Sequence, residues 1–289
     1  MHKNLLILAG GASSRMKKSV ATENLSAAEI KKANTRSKAL LGFGKKDRPI
    51  LDFLLLNAEK SGYKNIIIII SEDGEMFKEF YGTKAKDNKF NSLSISYATQ
   101  HIPKDREKPF GTADAVLQAL EQYPQLQNDP FTVCNSDNLY SVKALEALQE
   151  TDSHNAFISY DRDGLNFPMG KIERFALVFL DDASNLVDII EKPSEENVNR
   201  FRDISGKLRV SMNLFKFTGN EIYPFLKSCP INPIRNEKEL PTAILNMCRK
   251  TTSTMKGIPF KEHVPDLTSK EDIAVMKVYL KKHYLEYFS

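Results

Sequence analysis

The sequence predicts an α/β protein: a Rossmann-like, mixed but mainly parallel central sheet flanked by helices, in a single domain. Three observations carry this. The apolar run at residues 5–9 passes straight into small residues, as a buried strand does when it leaves a sheet. Continuous apolar stretches then alternate with helical periodicity through the first half, the pattern of a sheet covered on both faces. No low-complexity linker or internal repeat divides the 289 residues.

Taken in order, the strand at 5–9 is followed by a helical stretch at 50–61, closed by Gly62, and by the β-branched run 66–70. A short helix at 75–81 precedes an alternating strand at 93–98. Helical periodicity at 112–123 then leads into the short apolar strand 131–134. This half, residues 1–140, reads as βαβαβ. In the second half, 141–289, runs at 175–180 and 186–190 flank the turn-rich Asp181-Asp182-Ala183-Ser184-Asn185, which predicts a hairpin. A strand at 208–217 and helices at 220–227 and 240–250 follow. Thr268-Ser269-Lys270-Glu271-Asp272 has the chemistry of an N-cap for a last helix reaching Tyr287.

One segment stands apart. Residues 17–36 are polar and basic, with a helical pattern only at 26–33. Two readings fit such a stretch, a mobile lid and a passive surface insertion.

Bulk properties exclude several classes. With 41% apolar and 27% charged residues, the chain has the material for a core. No apolar run approaches the roughly twenty residues of a membrane span. The sequence lacks the pattern of a secretion signal, so a cytoplasmic protein is expected. Cys134, Cys229 and Cys248 are too few and too scattered for a disulfide framework or zinc site. The net charge of +4 comes from dispersed pairs such as Lys31-Lys32 and Lys281-Lys282, without the basic stripe of a nucleic-acid binder. The five histidines show no ligand spacing. The aromatic end (Tyr279, Tyr284, Tyr287, Phe288) suits helix packing or a homo-oligomer contact better than a stacking platform.

The candidate chemistry starts at Gly10-Gly11-Ala12-Ser13-Ser14-Arg15-Met16. Paired glycines let backbone N–H groups converge on an anion, and an arginine adds a planar fork suited to phosphate oxygens. The spacing is neither that of a P-loop nor G-x-G-x-x-G. An ordinary tight turn is the plain alternative. Four further segments point the same way. Ser37-Lys38-Ala39-Leu40-Leu41 offers a second cation. Gly111-Thr112-Ala113 opens a helix with small residues that a ring or phosphate could approach. The strand 131–134 runs into Asn135-Ser136-Asp137-Asn138, a carboxylate at the edge where such folds place ligands. Ile189-Ile190-Glu191-Lys192-Pro193 ends a strand with an adjacent acid and base.

In this order the segments resemble the motifs of the sugar-nucleotide pyrophosphorylases, nucleotidyltransferases that act on sugar 1-phosphates. The opening loop is similar to the family's G-G-x-x-[ST]-R-[ML], and Lys38 to the lysine that follows it. Gln100 with Gly111-Thr112-Ala113, Ser136-Asp137-Asn138, Glu191-Lys192-Pro193 and Asp266-Leu267-Thr268-Ser269 match the remaining motifs. The resemblance runs from Leu5 to about Asp272. It implies that family's nucleotide-diphospho-sugar transferase fold, with 1–140 as the nucleotide half and 141–289 as the sugar-phosphate half.

It also implies roles. Arg15 and Lys38 would hold the phosphates that leave as pyrophosphate, and Lys192 would place the sugar phosphate. Leu8, Ala9, Gly10, Gly11, Gln100, Gly111 and Thr112 would line the nucleotide. Asn138, Ala176, Glu191, Lys192, Ser211 and Asn213 would surround the sugar phosphate. Asp137 and Asp266 would hold Mg²⁺, hard oxygen donors for a cation that keeps its waters. The substrates implied are an NTP and a sugar 1-phosphate, with neither nucleic acid nor membrane as partner. Plain readings stand beside these: helix capping for Asp137 and Asp266, a solvated hairpin end for Glu191 and Lys192, a paired surface arginine for Arg15. Phe175-Ala176 stands where many members have an aromatic-glycine pair, and the insertion sets Arg15 far from Lys38. A non-sugar acceptor (phosphocholine or a polyol phosphate) and a catalytically silent nucleotide-sugar-binding regulatory subunit are the alternative functions. With no repeat after the last helix, the acyl-transferring activity of some relatives is not expected.

Overall fold

The five consecutive isoleucines of residues 66–70 explain the architecture best, because in the structure they face alternately into two separate cores. Ile66, Ile68 and Ile70 join Leu5, Ile7 and Phe53 on one side of the sheet. Ile67 and Ile69 join Leu6, Val116 and Leu120 on the other. A strand buried on both faces needs no polar alternation, which is why the run is continuous. The computed structural model describes residues 1–21, 23–106, 108–190 and 198–288.

In chain order the strands are β1 (Asn4–Leu8), β2 (Gly42–Phe43), β3 (Arg48–Pro49), β4 (Asn65–Ser71), β5 (Asn88–Phe90), β6 (Leu93–Gln100), β7 (Pro130–Asn135), β8 (Asn155–Asp161), β9 (Ala176–Leu180), β10 (Leu186–Ile190), β11 (Arg209–Thr218) and β12 (Met255–Phe260). Among the described residues ten of them form one sheet, with β10-β9-β11-β7-β1-β4-β6-β5 as its main path and β8 and β12 branching from β11. β1 lies parallel to β4 and β7, and β6 continues the parallel run. The ten-residue β11 runs antiparallel: its second half pairs β7, its first half β9, and β8 lies along its other side. The gap between the end of β7 and the start of β9 opens the sheet there. β2 and β3 make a separate hairpin.

Helices Ile50–Lys60, Val142–Glu150 and Glu271–His283 contribute to the first core, and Thr112–Gln122, Gly219–Lys227 and Leu240–Lys250 to the second. Ser141 caps its helix by accepting from the Ala144 N–H at 3.1 Å. Gly62 adopts φ +92 and ends the helix before β4, as its position predicts.

The sequence reading missed the two-residue strands β2 and β3 as well as β5, β8 and β12. β8 reads Asn-Ala-Phe-Ile-Ser-Tyr-Asp, yet every residue of it is buried. β12 carries Gly257 and Pro259, which dilute a strand signal. Proline is tolerated there because, among the described residues, β12 has a ladder with β8 alone and its other side carries just the bridge from Lys256 to Asn185. The last helix ends at His283, short of Tyr287, and residues Leu285–Tyr287 form a 3-10 turn. Tyr284 and Tyr287 pack edge-on against Phe53, at 5.1 and 5.6 Å between centroids, so these two rings take part in internal packing.

The insertion carries a nine-residue helix, Ala27–Thr35, closed by a capping box between Ser26 and Glu29. Ala33 is fully buried, and Glu29 pairs with Lys277 of the last helix.

Candidate active site

The opening loop leaves β1 with Ala9 still in the ladder, its N–H donating to the Ile69 carbonyl at 2.8 Å. The left-handed residue of this loop is Ser13, at φ 54, and neither glycine. This corrects the expectation that paired glycines supply forbidden conformations. A Cβ on Gly11 would meet nothing within 4 Å, whereas one on Gly10 would touch Gln100 Oε1 and the backbone of β4 at 3.4 Å. Gly11 therefore faces open space that a ligand can enter. Ser13 precedes the short helix Ser14–Lys18, on which Arg15 is exposed and makes no ion pair among the described residues. The paired-arginine reading thus finds no support.

The insertion returns the chain to this loop. The Lys38 N–H donates to Ser13 Oγ at 3.1 Å, 25 positions away in sequence. The Lys38 ammonium forms an ion pair with Asp137, beyond the end of β7. The 3-10 turn Lys38–Leu40 buries Ala39 and Leu40, which anchors the lysine in the core.

Asp137 and Asp266 are brought together by an isolated bridge between Asn138 and Asp266. The Leu267 N–H donates to the Asp137 carbonyl at 2.9 Å, and Leu139 N–H to that of Pro265 at 2.9 Å. Asn138 Nδ2 donates to Asp266 Oδ1 at 3.2 Å, while its Oδ1 accepts from Asn135 at 3.0 Å. This residue, read as a sugar contact, is buried and ties the Asp266 carboxylate to Asn135 at the end of β7. The capping alternative for Asp266 falls to Asp272 instead, whose Oδ2 accepts the Thr268 and Ser269 N–H groups at 2.8 and 2.7 Å.

Lys171 was not singled out from the sequence. Its ammonium reaches Asp266 Oδ2 at 2.8 Å and Asp272 Oδ1 at 2.7 Å, and lies 4.8 Å from the centroid of the Phe167 ring. It sits on the four-residue helix Met169–Ile172, too short to leave a periodic signal. Tyr140 was missed for a different reason: it lies wholly in the core. Burial pushes its phenol well up, so it stays protonated and donates to the Met212 carbonyl at 2.7 Å. That bond fixes β11 where its ladder with β8 shifts register between Ser211 and Phe215. Asn213 stands in this bulge at φ 56, its N–H donating to Ser211 Oγ at 3.2 Å. Ala176 is the ladder partner of Ser211, so three residues read as sugar contacts meet at one point of the sheet.

On the nucleotide side, Gln100 is buried and its amide N–H₂ donates to the Gly111 carbonyl at 3.0 Å and to Asp114 at 2.9 Å. It is not an exposed strand end, and its amide donors are committed within the protein. Gly111 adopts φ +103, and a Cβ there would lie 2.8 Å from the Lys238 carbonyl. Thr112 Oγ1 accepts from the Leu240 N–H at 3.0 Å. Leu8 borders the same edge, its carbonyl accepting from Ser136 N–H at 3.2 Å. Burial pushes the Cys134 thiol up, so no thiolate nucleophile is offered at this strand end. Glu191, Lys192 and Pro193 lie outside the described residues.

This arrangement, a cationic loop and two bridged carboxylates beyond the ends of parallel strands, can be compared with known proteins. The nucleotidyl transferase family model matches residues 5–257. The chain belongs to this family. Similar nucleotidyl transferases include the glucose-1-phosphate adenylyltransferase of Dechloromonas aromatica, 26% identical over 190 residues, which are 65% of this chain and 40% of that protein. The enzyme of the same name from Clostridioides difficile is 23% identical over 274 residues, 92% of this chain and 64% of that one. The chain thus spans about two fifths of the first of these relatives and under two thirds of the second. A UDP-glucose pyrophosphorylase complexed with UDP-glucose superposes with TM-score 0.68 over 98% of this chain and 100% of that one, at 16% identity. It shows that this chain shares that fold. No helix among the described residues is long and apolar enough to cross a membrane.

Proposed function

We propose that the chain transfers a nucleotidyl group from an NTP to a sugar 1-phosphate, giving an NDP-sugar and pyrophosphate. The observation that carries this reading is the meeting of Lys38, Asp137 and Asp266 beside the Arg15 loop. A sugar-phosphate oxygen attacks the α-phosphorus in line. The new P–O bond forms as the bond to the bridging oxygen breaks, and pyrophosphate leaves with that electron pair. The attacking oxygen is already anionic at neutral pH, so no protein base is required. Such transfers depend on charge neutralisation and placement. Arg15 neutralises the leaving pyrophosphate, Lys38 binds beside it, and Lys192 orients the acceptor.

Magnesium fits the residues present. Among the described residues no three His, Cys, Asp or Glu side chains converge as a metal cage. An ion held by one or two carboxylates, substrate phosphates and water needs none. Asp137 and Asp266 would hold it, and the ion supplies charge neutralisation across the reacting phosphates. Asn138 holds the Asp266 carboxylate by a hydrogen bond of 3.2 Å from its Nδ2.

The test is pyrophosphate release with Mg²⁺, the four NTPs and dTTP, and a panel of sugar, polyol and choline phosphates. Turnover with one NTP and one sugar 1-phosphate, lost in Asp137→Asn, is expected. Turnover only with a polyol or choline phosphate, or nucleotide binding with no release, overturns the reading.

A further inference from the structure

The buried ammonium of Lys270 makes no ion pair among the described residues. The side chain is 3% exposed, and its three N–H donors go to three backbone carbonyls: Met16 at 2.9 Å, Lys17 at 3.0 Å and Ser19 at 2.5 Å. Those oxygens cluster at the C-terminal end of the helix Ser14–Lys18, the helix that bears Arg15. A five-residue helix cannot satisfy its own last carbonyls and is marginal alone. An ammonium has three donors, so the match is complete. The partial negative charge at a helix C-terminus offsets the cost of burying the cation.

A second bond ties the same two segments. The Lys270 N–H donates to Ser19 Oγ at 3.0 Å, and that hydroxyl donates to the Met16 carbonyl at 3.0 Å. Lys270 is also held from its own side. It directly follows the Asp266–Ser269 stretch that Asp272 clamps through the Thr268 and Ser269 N–H groups. One rigid turn therefore fixes Asp266 at one end and, 251 positions away in sequence, the Arg15 helix at the other.

We propose that Lys270 is a positioning residue: its ammonium caps the Arg15 helix and sets the guanidinium in register with the Asp266 turn. The positioning role rests on the reading of Arg15 as a phosphate ligand; the capping itself does not. Ser13, at the other end of this helix, makes no side-chain cap and accepts from the Lys38 N–H instead, so among the described residues the helix carbonyls are capped by Lys270 and by the Ser19 hydroxyl that Lys270 holds. Loss of the cap frees Arg15 without removing it.

The experiment compares wild type, Lys270→Met, Arg15→Ala and the double variant by hydrogen exchange, calorimetric nucleotide binding and steady-state kinetics. Lys270→Met is expected to speed exchange of the Lys17 and Ser19 amides about tenfold, leaving β4 unchanged. It is expected to weaken NTP binding by about tenfold, with KM for the sugar phosphate within about twofold of wild type. Adding Arg15→Ala to Lys270→Met then costs far less than it does alone. Unchanged exchange in residues 14–19 overturns the cap. Faster exchange with unaltered NTP affinity reduces Lys270 to a structural role and overturns the positioning. Wild type that binds no NTP overturns the reading of Arg15, while the exchange result still decides the cap. Where Lys270→Met fails to fold, Ser19→Ala removes only the hydroxyl bridge and is read the same way, with smaller shifts.

Discussion

Lys38 and Asp137 form an ion pair across 99 positions of sequence, and both side chains are largely shielded, at 19% and 15% exposure. Lys38→Met leaves the carboxylate without its partner, so it is expected to cost about 1–3 kcal/mol of stability. Adding Asp137→Asn removes the stranded charge and recovers part of that loss. Turnover is expected to vanish in both. Urea unfolding of the two variants, beside a pyrophosphate assay, checks the sign of the coupling; additive losses in stability contradict it.

Arg15 behaves oppositely. Its exposed guanidinium has no ion-pair partner among the described residues, so Arg15→Ala is expected to shift stability by no more than about 0.5 kcal/mol. As the group that meets the leaving pyrophosphate, it is expected to lower kcat/KM about 100-fold. A thermal melt and a kinetic run on one preparation separate the two effects. A large drop in Tm with activity per folded molecule preserved contradicts the assignment.

How far the site was legible follows from the kind of signal each residue gives. Arg15, Lys38, Gly111, Asp137 and Asp266 sit in short motifs whose order along the chain points to phosphate chemistry, and the structure brings Lys38, Asp137 and Asp266 together. Lys171 and Lys270 left no such trace, because their partners are carboxylates and carbonyls remote in sequence. Periodicity found the strands buried on both faces, such as β4, and both members of the β9–β10 hairpin. It missed β8 and β12, where Ser159, Asp161, Gly257 and Pro259 interrupt the apolar pattern although the fold buries or pairs them. Gln100 shows the remaining gap: the sequence offered an amide, and only the fold reveals that both N–H groups are already committed to Gly111 and Asp114.

Gly111→Ala tests the nucleotide side without touching a charge. A side chain at φ +103 is strained, and its Cβ would press on the Lys238 carbonyl, which also accepts the Ala113 N–H at 3.0 Å. The expected cost is about 1–3 kcal/mol, from strain in a backbone region that L residues avoid. Because Gln100 is anchored to the Gly111 carbonyl, KM for the NTP is expected to rise while KM for the sugar phosphate stays put. Equal rises in both contradict the placement of this turn on the nucleotide side.

His2 sets a pH limit on stability. Burial, and then the nearby Lys216, pull its imidazole down to about 3; Nε2 shares a hydrogen bond of 2.8 Å with Thr132, and Nδ1 is buried with no partner among the described residues. The folded value lies below the ordinary one of 6.5, so on acidification the unfolded chain takes up the proton first. The stabilisation is therefore full above about 6.5 and is lost as pH falls toward 3, by up to about 1.4 kcal/mol per pH unit. Carboxylates whose folded values are lowered, such as Asp203, held at about 2, lose their contribution only below their ordinary range. Asp52 and Glu262, pushed up by burial, act with the opposite sign just above that range. Subtracting the profile of His2→Phe removes all of these from the comparison. Urea midpoints taken between about pH 7.5 and 4.5 are expected to fall steeply for wild type and to flatten for the variant, even though the variant is less stable at neutral pH. Parallel profiles contradict the role of His2.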